Sequence, residues 1–227
     1  MCGRYTLAVQ LDLITDRFLL KRVDAKEMFR FNIAPTQQAP VIYQTDSGRT
    51  LTMMRWGLVP FWAKDESIGN KLINARSETL AEKPSFKRSL ERKRCIVPAD
   101  GFYEWKKSTD GKTRTPMRIV VGQGDLFGFA GLWDRWKSPD GGSVESYTII
   151  TTEPNKFVSS IHNRMPVILS RDTEAQWLDP EITDPELLTP LLVPYNGEMK
   201  AYEVSTSVNS PSNDSPSLIE PIAPELL

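Results

Sequence analysis

Short strand-like segments, separated by turn sequences, run through the middle of the chain and constrain its fold more than any other feature. RCIVPA, GFYEWKK, MRIVVG, LFGFAGLW and SYTIITT are rich in β-branched and aromatic residues, and STDGKT and KSPDGGS between them are typical turns. Helical patterns are short and scattered, so strands do not alternate with long helices as in a doubly wound sheet. The sequence therefore predicts an α+β single domain with a curved antiparallel sheet, a β-barrel-like core and peripheral helices.

Other segments predict the elements around this sheet. Apolar residues of 8–21 recur at helical spacing, and two strand-like segments joined by DSGR predict a hairpin. In SETLAEKPSFKRSL we expect two short helices, the first capped by Ser77 and the second opened by Pro84. RMPVILS predicts a further strand. We expect one domain over residues 1–205, followed by a loosely ordered, Pro/Ser-rich tail over residues 206–227.

The composition is that of a folded protein, since 40% of the 227 residues are hydrophobic and 25% are charged. No run of 18 apolar residues is present and the start lacks a signal-peptide pattern, so we expect a cytoplasmic protein without membrane contact. Two cysteines do not indicate a disulfide framework here, and Cys95 is assigned to the core. With one histidine they are too few soft ligands for a zinc site, so we expect no metal and no cofactor.

Charge is distributed unevenly, although the net charge is −1. Residues 61–120 contain 14 Lys and Arg against 8 Asp and Glu, whereas residues 171–227 contain 2 against 11. The cationic stretch FKRSLERKRC fits a solvated helix face and also a surface that binds phosphates. Trp62 lies in a nearby irregular stretch, where an exposed indole would stack on bases; a core position is the alternative.

Cys2 directly follows the initiator methionine, so removal of Met1 would leave an α-amine and a thiol on adjacent carbons. Their reference pKa values are about 8 and about 8.5, so both groups are partly nucleophilic near neutral pH. The amine of such an aminothiol forms a Schiff base with an aldehyde, and the thiol closes it to a thiazolidine. On position alone, a small, semi-buried residue without a chemical role is the simpler interpretation.

Three further polar residues are candidates for assisting this nucleophile. His162 is the one histidine of the sequence and a natural proton carrier near pH 7. Glu104 lies among aromatic residues in GFYEW, where partial desolvation would raise its pKa toward acid–base use. Asn74, in LINARSE, offers an amide donor and acceptor. A structural histidine, an exposed strand glutamate and a loop-capping asparagine are the alternatives.

An arginine follows three of these four residues at a spacing of two. The pairs are Cys2 and Arg4, Asn74 and Arg76, and His162 and Arg164. Because residues two apart point to one side of an extended chain, extended segments would place each reactive group beside a guanidinium. Guanidinium groups suit phosphate, so the pattern indicates a reactive centre surrounded by phosphate binders; coincidence is the alternative, since arginine is common.

Eight motifs occur along the chain in an order typical of one family: MCGRYTL, NIAPTQ, RWGLVPFW, INARSET, PADGFYEWKK, FAGLWD, TIITTEPN and IHNRMPVIL. In this order they resemble the SRAP family, the SOS response-associated peptidases or abasic-site processing proteins. The resemblance extends from residue 2 to about residue 205. It implies an α+β domain around a small barrel-like core, and single-stranded DNA with abasic sites as the partner. We expect a monomer that is associated with the nucleoid when bound to DNA.

The resemblance also implies a chemistry. Met1 is removed, by an autopeptidase activity in this family, and Cys2 attacks the ring-opened aldehyde of the abasic site. The product is a stable thiazolidine crosslink that shields the site from strand cleavage.

The resemblance assigns roles to the remaining candidates. Asn74 would orient the Cys2 centre or the opened sugar, Glu104 would handle the amine and its proton transfers, and His162 would act as acid and base in sugar opening. The DNA contacts implied are Arg4, Arg76 and Arg164 on the flanking phosphates, with Trp62 and Pro35 along the DNA path.

Two other functions fit part of the pattern. In an N-terminal-cysteine amidohydrolase or peptidase, the thiol would attack an amide bond and the α-amine would serve as the base. A non-catalytic module would bind single-stranded DNA through the basic stretch and the tryptophans, independently of Cys2. A Cys2-dependent adduct with abasic single-stranded DNA distinguishes crosslinking from both.

Overall fold

The strands of the computed structural model form two sheets. The structure describes residues 2–26 and 29–222, so Met1 and residues 223–227 of the predicted tail lie outside the described residues. The strands are β1 (Arg4–Leu7), β2 (Arg22–Val23), β3 (Arg30–Ile33), β4 (Gln38–Thr45), β5 (Gly48–Trp56), β6 (Asn74–Arg76), β7 (Arg94–Ala99), β8 (Gly101–Lys107), β9 (Arg114–Val121), β10 (Phe127–Lys137), β11 (Ser143–Thr152), β12 (Met165–Pro166), β13 (Ile168–Leu169) and β14 (Met199–Glu203).

The helices are short and peripheral. They are α1 (Leu11–Phe18), α2 (Lys87–Arg92), α3 (Arg171–Leu178) and α4 (Pro185–Leu188), with 3-10 helices at Glu66–Lys71, Ser77–Thr79, Val158–Ser160, Thr189–Leu191, Thr206–Asn209 and Pro216–Ile219. No helix in the described ranges has the length and apolar character needed to cross a membrane.

The five-stranded sheet has the order β14-β9-β8-β1-β3, and its strands pair antiparallel throughout. β1 lies against β8, with Arg4 opposite Tyr103. This pairing carries the start of the chain, and therefore Cys2, to the GFYEW segment that contains Glu104. Two regions about a hundred residues apart in sequence thus meet through one strand pair.

The second sheet has the order β12-β11-β10-β7-β4-β5-β2, with β13 added to β10 and β6 added to β11. Most of its pairs are antiparallel, including the predicted β4–β5 hairpin. Parallel pairs join β2 to β5, β5 to β11 and β6 to β11. The α+β fold with a barrel-like core is confirmed, and the second sheet is mixed rather than purely antiparallel.

Aromatic side chains hold the two sheets together. Tyr5 and Phe102, from the five-stranded sheet, meet Trp56, Phe129 and Tyr147 from the other. The Tyr5 and Tyr147 hydroxyls are 2.7 Å apart, and the rings of Tyr5 and Trp56 are 5.2 Å apart edge to face. Each such ring pair contributes about 0.5–1.5 kcal/mol beyond the burial of its area. Cys95 is fully buried in this core, as predicted.

Four local expectations differ from the structure. The first helix is shorter than residues 8–21, because Leu19 adopts a left-handed conformation (φ 55°) and its amide folds back onto Asp16 O. Ser77 starts a 3-10 helix rather than capping one. Pro84 does not open a helix, since the second one begins at Lys87. RMPVILS also splits into β12 and β13, because β12 pairs with β11 whereas β13 pairs with β10.

The expectation of a loosely ordered tail is wrong for residues 206–222. Val208 and Leu218 are buried with Tyr103 and Val204 in a second, smaller apolar cluster. Asp214 forms an ion pair with Arg30 and accepts from the backbone amide of Phe31 at 2.6 Å. These contacts order a segment whose composition is polar. The domain boundary at residue 205 stays a prediction.

Candidate active site

Cys2 lies at the entry to β1 and is fully buried. Its Sγ is 3.9 Å from the carbonyl oxygen of Arg4. Burial raises the pKa of the Cys2 thiol well above its usual range, and the negative charge of Glu104 raises it further. The thiol is therefore protonated at neutral pH, and the charge of Glu104 acts on it.

Glu104 lies in the buried half of β8 and is 2% exposed, so the alternative of an exposed strand glutamate is wrong. Its flanking residues on the strand, Tyr103 and Trp105, are large aromatics. Desolvation by this burial raises the pKa of Glu104 to about 7. A carboxyl group with a pKa near the ambient pH can both accept and donate a proton during a reaction.

His162 follows the 3-10 helix at Val158–Ser160 and reaches the carboxylate of Glu104. Its Nε2 is 3.9 Å from Glu104 Oε2, and its Nδ1 accepts from the backbone amide of Arg164 at 3.1 Å. Nδ1 also lies 3.2 Å from the carbonyl oxygen of Arg164, so the tautomer of the neutral imidazole sets whether Nε2, the nitrogen that faces Glu104, donates or accepts. Burial lowers the pKa of His162, which favours this neutral form. The structure thus brings Cys2, Glu104 and His162 into one centre.

Asn74 opens β6, the short strand that lies parallel to β11 opposite Ile149. Its Nδ2 donates to Ile149 O at 3.4 Å. Its Oδ1 is buried and accepts no hydrogen bond from the described residues. A buried acceptor of this kind costs free energy and is typical of atoms that await a ligand.

The three companion arginines lie in different surroundings. Arg164 donates to both carboxylate oxygens of Glu78, at 2.6 and 3.0 Å, and to Thr151 O at 2.7 Å. Arg76 is exposed, and within the described ranges no hydrogen bond or ion pair holds its guanidinium. It lies opposite Thr151 on β11, so Arg76 and Arg164 share one neighbourhood.

Arg4 is tied to the C-terminal segment. Its guanidinium donates to Asn32 Oδ1 at 2.9 Å, Val208 O at 2.6 Å and Asn209 O at 3.1 Å. These acceptors give Arg4 a structural position two residues from Cys2. Its role as a phosphate ligand stays a prediction.

The residues predicted along a DNA path lie at the surface. Trp62 is 46% exposed, so the alternative of a core tryptophan is wrong, and Phe61 beside it is equally exposed. Arg88 stacks over the Phe61 ring at 4.2 Å. Pro35 is half-buried in the turn after β3, next to Thr36, whose φ is 74°. Their contact with DNA stays a prediction.

Sequence reasoning missed a cavity of about 300 Å³ that borders His162. Trp105, Lys107 and Arg114 line it together with residues 159–163. The cations could not be recognised in the sequence, because β8–β9 register brings Lys107 opposite Arg114 and no local motif connects them. No cluster of three or more His, Cys, Asp or Glu side chains that could hold a metal occurs in the part of the chain that the structure describes.

Comparison with known proteins agrees with this architecture. Residues 1–211 match the family model of the SOS response associated peptidase (SRAP). The chain is 50% identical over 223 residues to the abasic site processing protein YoqW of Bacillus subtilis, covering 97% of this chain and 99% of that protein. It is 33% identical to the abasic site processing protein HMCES of Pongo abelii, over 98% of this chain and 76% of that protein.

Two solved structures have the same fold as this chain. A crystal structure from Bacteroides thetaiotaomicron superposes with a TM-score of 0.86 at 28% identity, over 98% of this chain and all of that one. A second, from Bordetella bronchiseptica, superposes with a TM-score of 0.76 at 26% identity, over 90% of this chain and all of that one. The two-sheet arrangement is therefore shared by proteins of low sequence identity.

Proposed function

Because this chain belongs to the SOS response associated peptidase (SRAP) family, we propose that it processes abasic sites in single-stranded DNA by crosslinking itself to them. Met1 is removed first, by an autopeptidase reaction, and Cys2 becomes the N-terminal residue. Its amine and thiol together then capture the aldehyde of the ring-opened abasic sugar. The names of the relatives at 50% and 33% identity support this assignment.

The observation that carries the proposal is the convergence of a buried thiol, a carboxyl with a pKa of about 7, and a neutral imidazole. Packing alone does not require this set, because burial of Glu104 is unfavourable to its charged form. Perturbed groups of this kind concentrate where proton transfer is needed.

The protonation states order the chemical steps. Since the Cys2 thiol is protonated, the amine attacks the aldehyde carbon first, and loss of one water yields the imine. The sulfur then bonds to the imine carbon, and the thiol proton passes through the Glu104 carboxylate to the imine nitrogen. The sum is a thiazolidine and one water. Closure removes the imine, which otherwise promotes β-elimination and strand breakage.

The neighbouring residues support this chemistry. His162 donates and accepts protons as the deoxyribose ring opens, because its neutral form has one protonated and one unprotonated nitrogen. The unsatisfied Oδ1 of Asn74 accepts from the opened sugar or from the Cys2 centre. Arg76 and Arg164 hold flanking phosphates, and Arg4, Trp62 and Pro35 contribute to the DNA path. A single strand suits such a site because its sugar turns outward without the cost of opening a duplex.

A denaturing gel tests the proposal. Protein with verified loss of Met1 is mixed with single-stranded DNA that contains one abasic site, and a covalently shifted band is expected. Cys2→Ala should abolish the band, while Cys95→Ala, the matched change at the other buried cysteine, should retain it. Absence of an adduct from the trimmed wild type would contradict crosslinking. Turnover of an amide substrate would favour an amidohydrolase, and Cys2-independent binding alone would favour a binding module.

A further inference from the structure

The cavity beside His162 carries two cations that the proposed chemistry does not use. Lys107, at the end of β8, and Arg114, at the start of β9, are both exposed and line this cavity. No hydrogen bond or ion pair to any residue in the described ranges engages the side chain of either residue. We name Lys107 and Arg114 the hairpin cation pair.

The placement of the pair is unfavourable without an anion. Lys107 and Arg114 lie directly opposite one another across the antiparallel β8–β9 ladder. Like charges at opposite positions destabilise a strand pair, and no carboxylate in the cavity lining offsets them. Their charge also reaches the reactive centre: after burial, the positive charges of Arg114 and Lys107 are among the causes that lower the pKa of His162.

The pair belongs to a different sheet from Arg76 near Asn74. Arg76 lies on β6 beside Thr151, within the mixed sheet, and Arg164 bonds to that same threonine. Lys107 and Arg114 belong to the five-stranded sheet. Both sheets therefore contribute cations as well as reactive residues, Glu104 from one and Asn74 from the other. Every internal nucleotide of a DNA strand likewise has a phosphate on each side.

We propose that the hairpin cation pair binds the backbone phosphate on one side of the reactive nucleotide, while Arg76 binds the phosphate on the other side. This inference rests on the proposed function and adds a second phosphate subsite to it. Trp105 forms the wall of the subsite, and its Nε1 donates to Asn209 Oδ1 at 2.8 Å, which fixes the indole as a surface for the adjoining base.

Binding of an intact single-stranded oligonucleotide, followed by fluorescence anisotropy over a salt series, tests the subsite without the crosslinking step. The test variant is Lys107→Ala with Arg114→Ala. The control is Lys106→Ala with Lys112→Ala, which removes the same charge from exposed positions of the same hairpin outside the cavity. Thermal melts verify that both variants fold.

The test variant should bind about tenfold more weakly than the control, and its log–log salt slope should be shallower by about 0.7, since the variant loses the contact to one phosphate of the single strand. Equal affinity and slope in the two variants would overturn the subsite. The abasic gel reports separately on the proposed function. Loss of binding with no wild-type adduct would refute crosslinking alone, and an adduct with unchanged binding would refute the subsite alone.

Discussion

His162 Nε2 lies 3.9 Å from the buried Oε2 of Glu104, and the charge of the same carboxylate reaches the thiol of Cys2. The carboxyl thus acts on both the nucleophile and the imidazole. Because burial raises the pKa of Glu104 to about 7, a small change in pH alters the charge of the whole centre.

Glu104→Gln should flatten the pH dependence of stability. The folded state raises the carboxyl pKa from 4.5 to about 7. The carboxyl therefore contributes fully to the free energy of unfolding below pH 4.5, and this contribution is lost as the pH rises through 7. The loss is about 3 kcal/mol in the free energy of unfolding, at 1.36 kcal/mol per pH unit. Urea unfolding at pH 4.5 and pH 8 measures it, with exposed Glu82→Gln as control. The assignment would be contradicted if the free energy of unfolding fell by the same amount between pH 4.5 and pH 8 in wild type and in Glu104→Gln.

His162→Gln should slow adduct formation with abasic single-stranded DNA by about a hundredfold or more, the usual contribution of an acid–base group. If its role is sugar opening, the variant should react normally with a small aldehyde that has no ring to open. Glu104→Gln should react slowly with both aldehydes, because proton transfer involving the Cys2 amine and thiol is needed in either reaction. Intact mass spectrometry follows both adducts. A His162→Gln defect that is equal for DNA and small aldehyde would argue against ring opening.

Asn32→Ala should loosen the C-terminal segment and the start of the chain together. The fully buried Asn32 donates to the carbonyls of Val208, Ser210 and Asn213 and accepts from Arg4. Carbonyls left unpaired should cost about 2–3 kcal/mol of unfolding free energy. Hydrogen exchange should rise over residues 206–222.

The matched change for that experiment is Asn196→Ala, at an exposed asparagine of the same chain. It should leave both stability and exchange unchanged. Protection of residues 206–222 that survives Asn32→Ala would show that Val208 and Leu218 alone hold the segment.

Glu78→Gln should tighten binding of single-stranded DNA by about threefold at low salt, an effect that added salt should weaken. The Glu78 carboxylate accepts hydrogen bonds from both terminal nitrogens of the Arg164 guanidinium. A phosphate bound by Arg164 would need the same two donors. Anisotropy with an intact oligonucleotide measures the change, and exposed Glu82→Gln serves as the matched control. Weaker binding by Glu78→Gln would mean that the ion pair positions Arg164 for DNA instead of competing with it.

The strands of the central region were predictable because each is a local pattern of β-branched and aromatic residues between turn sequences. The same logic failed where distant contacts decide the backbone. Leu19 ends the first helix in a left-handed conformation despite continuing apolar spacing. Residues 206–222 are ordered by Val208, Leu218 and Asp214, three positions too sparse to form a pattern.

The amino-acid sequence identifies the groups available for chemistry: one histidine, a cysteine at position two, and a glutamate between aromatic residues. Their protonation and contacts follow from the folded arrangement. Pairing of β1 with β8 buries Cys2 beside Glu104, and that burial changes both pKa values. Cross-strand register likewise places Lys107 opposite Arg114, and packing occupies Arg4 and Arg164 with protein acceptors. Desolvation and charge proximity depend on long-range contacts, so residue types reveal the candidates and the fold sets their protonation and partners.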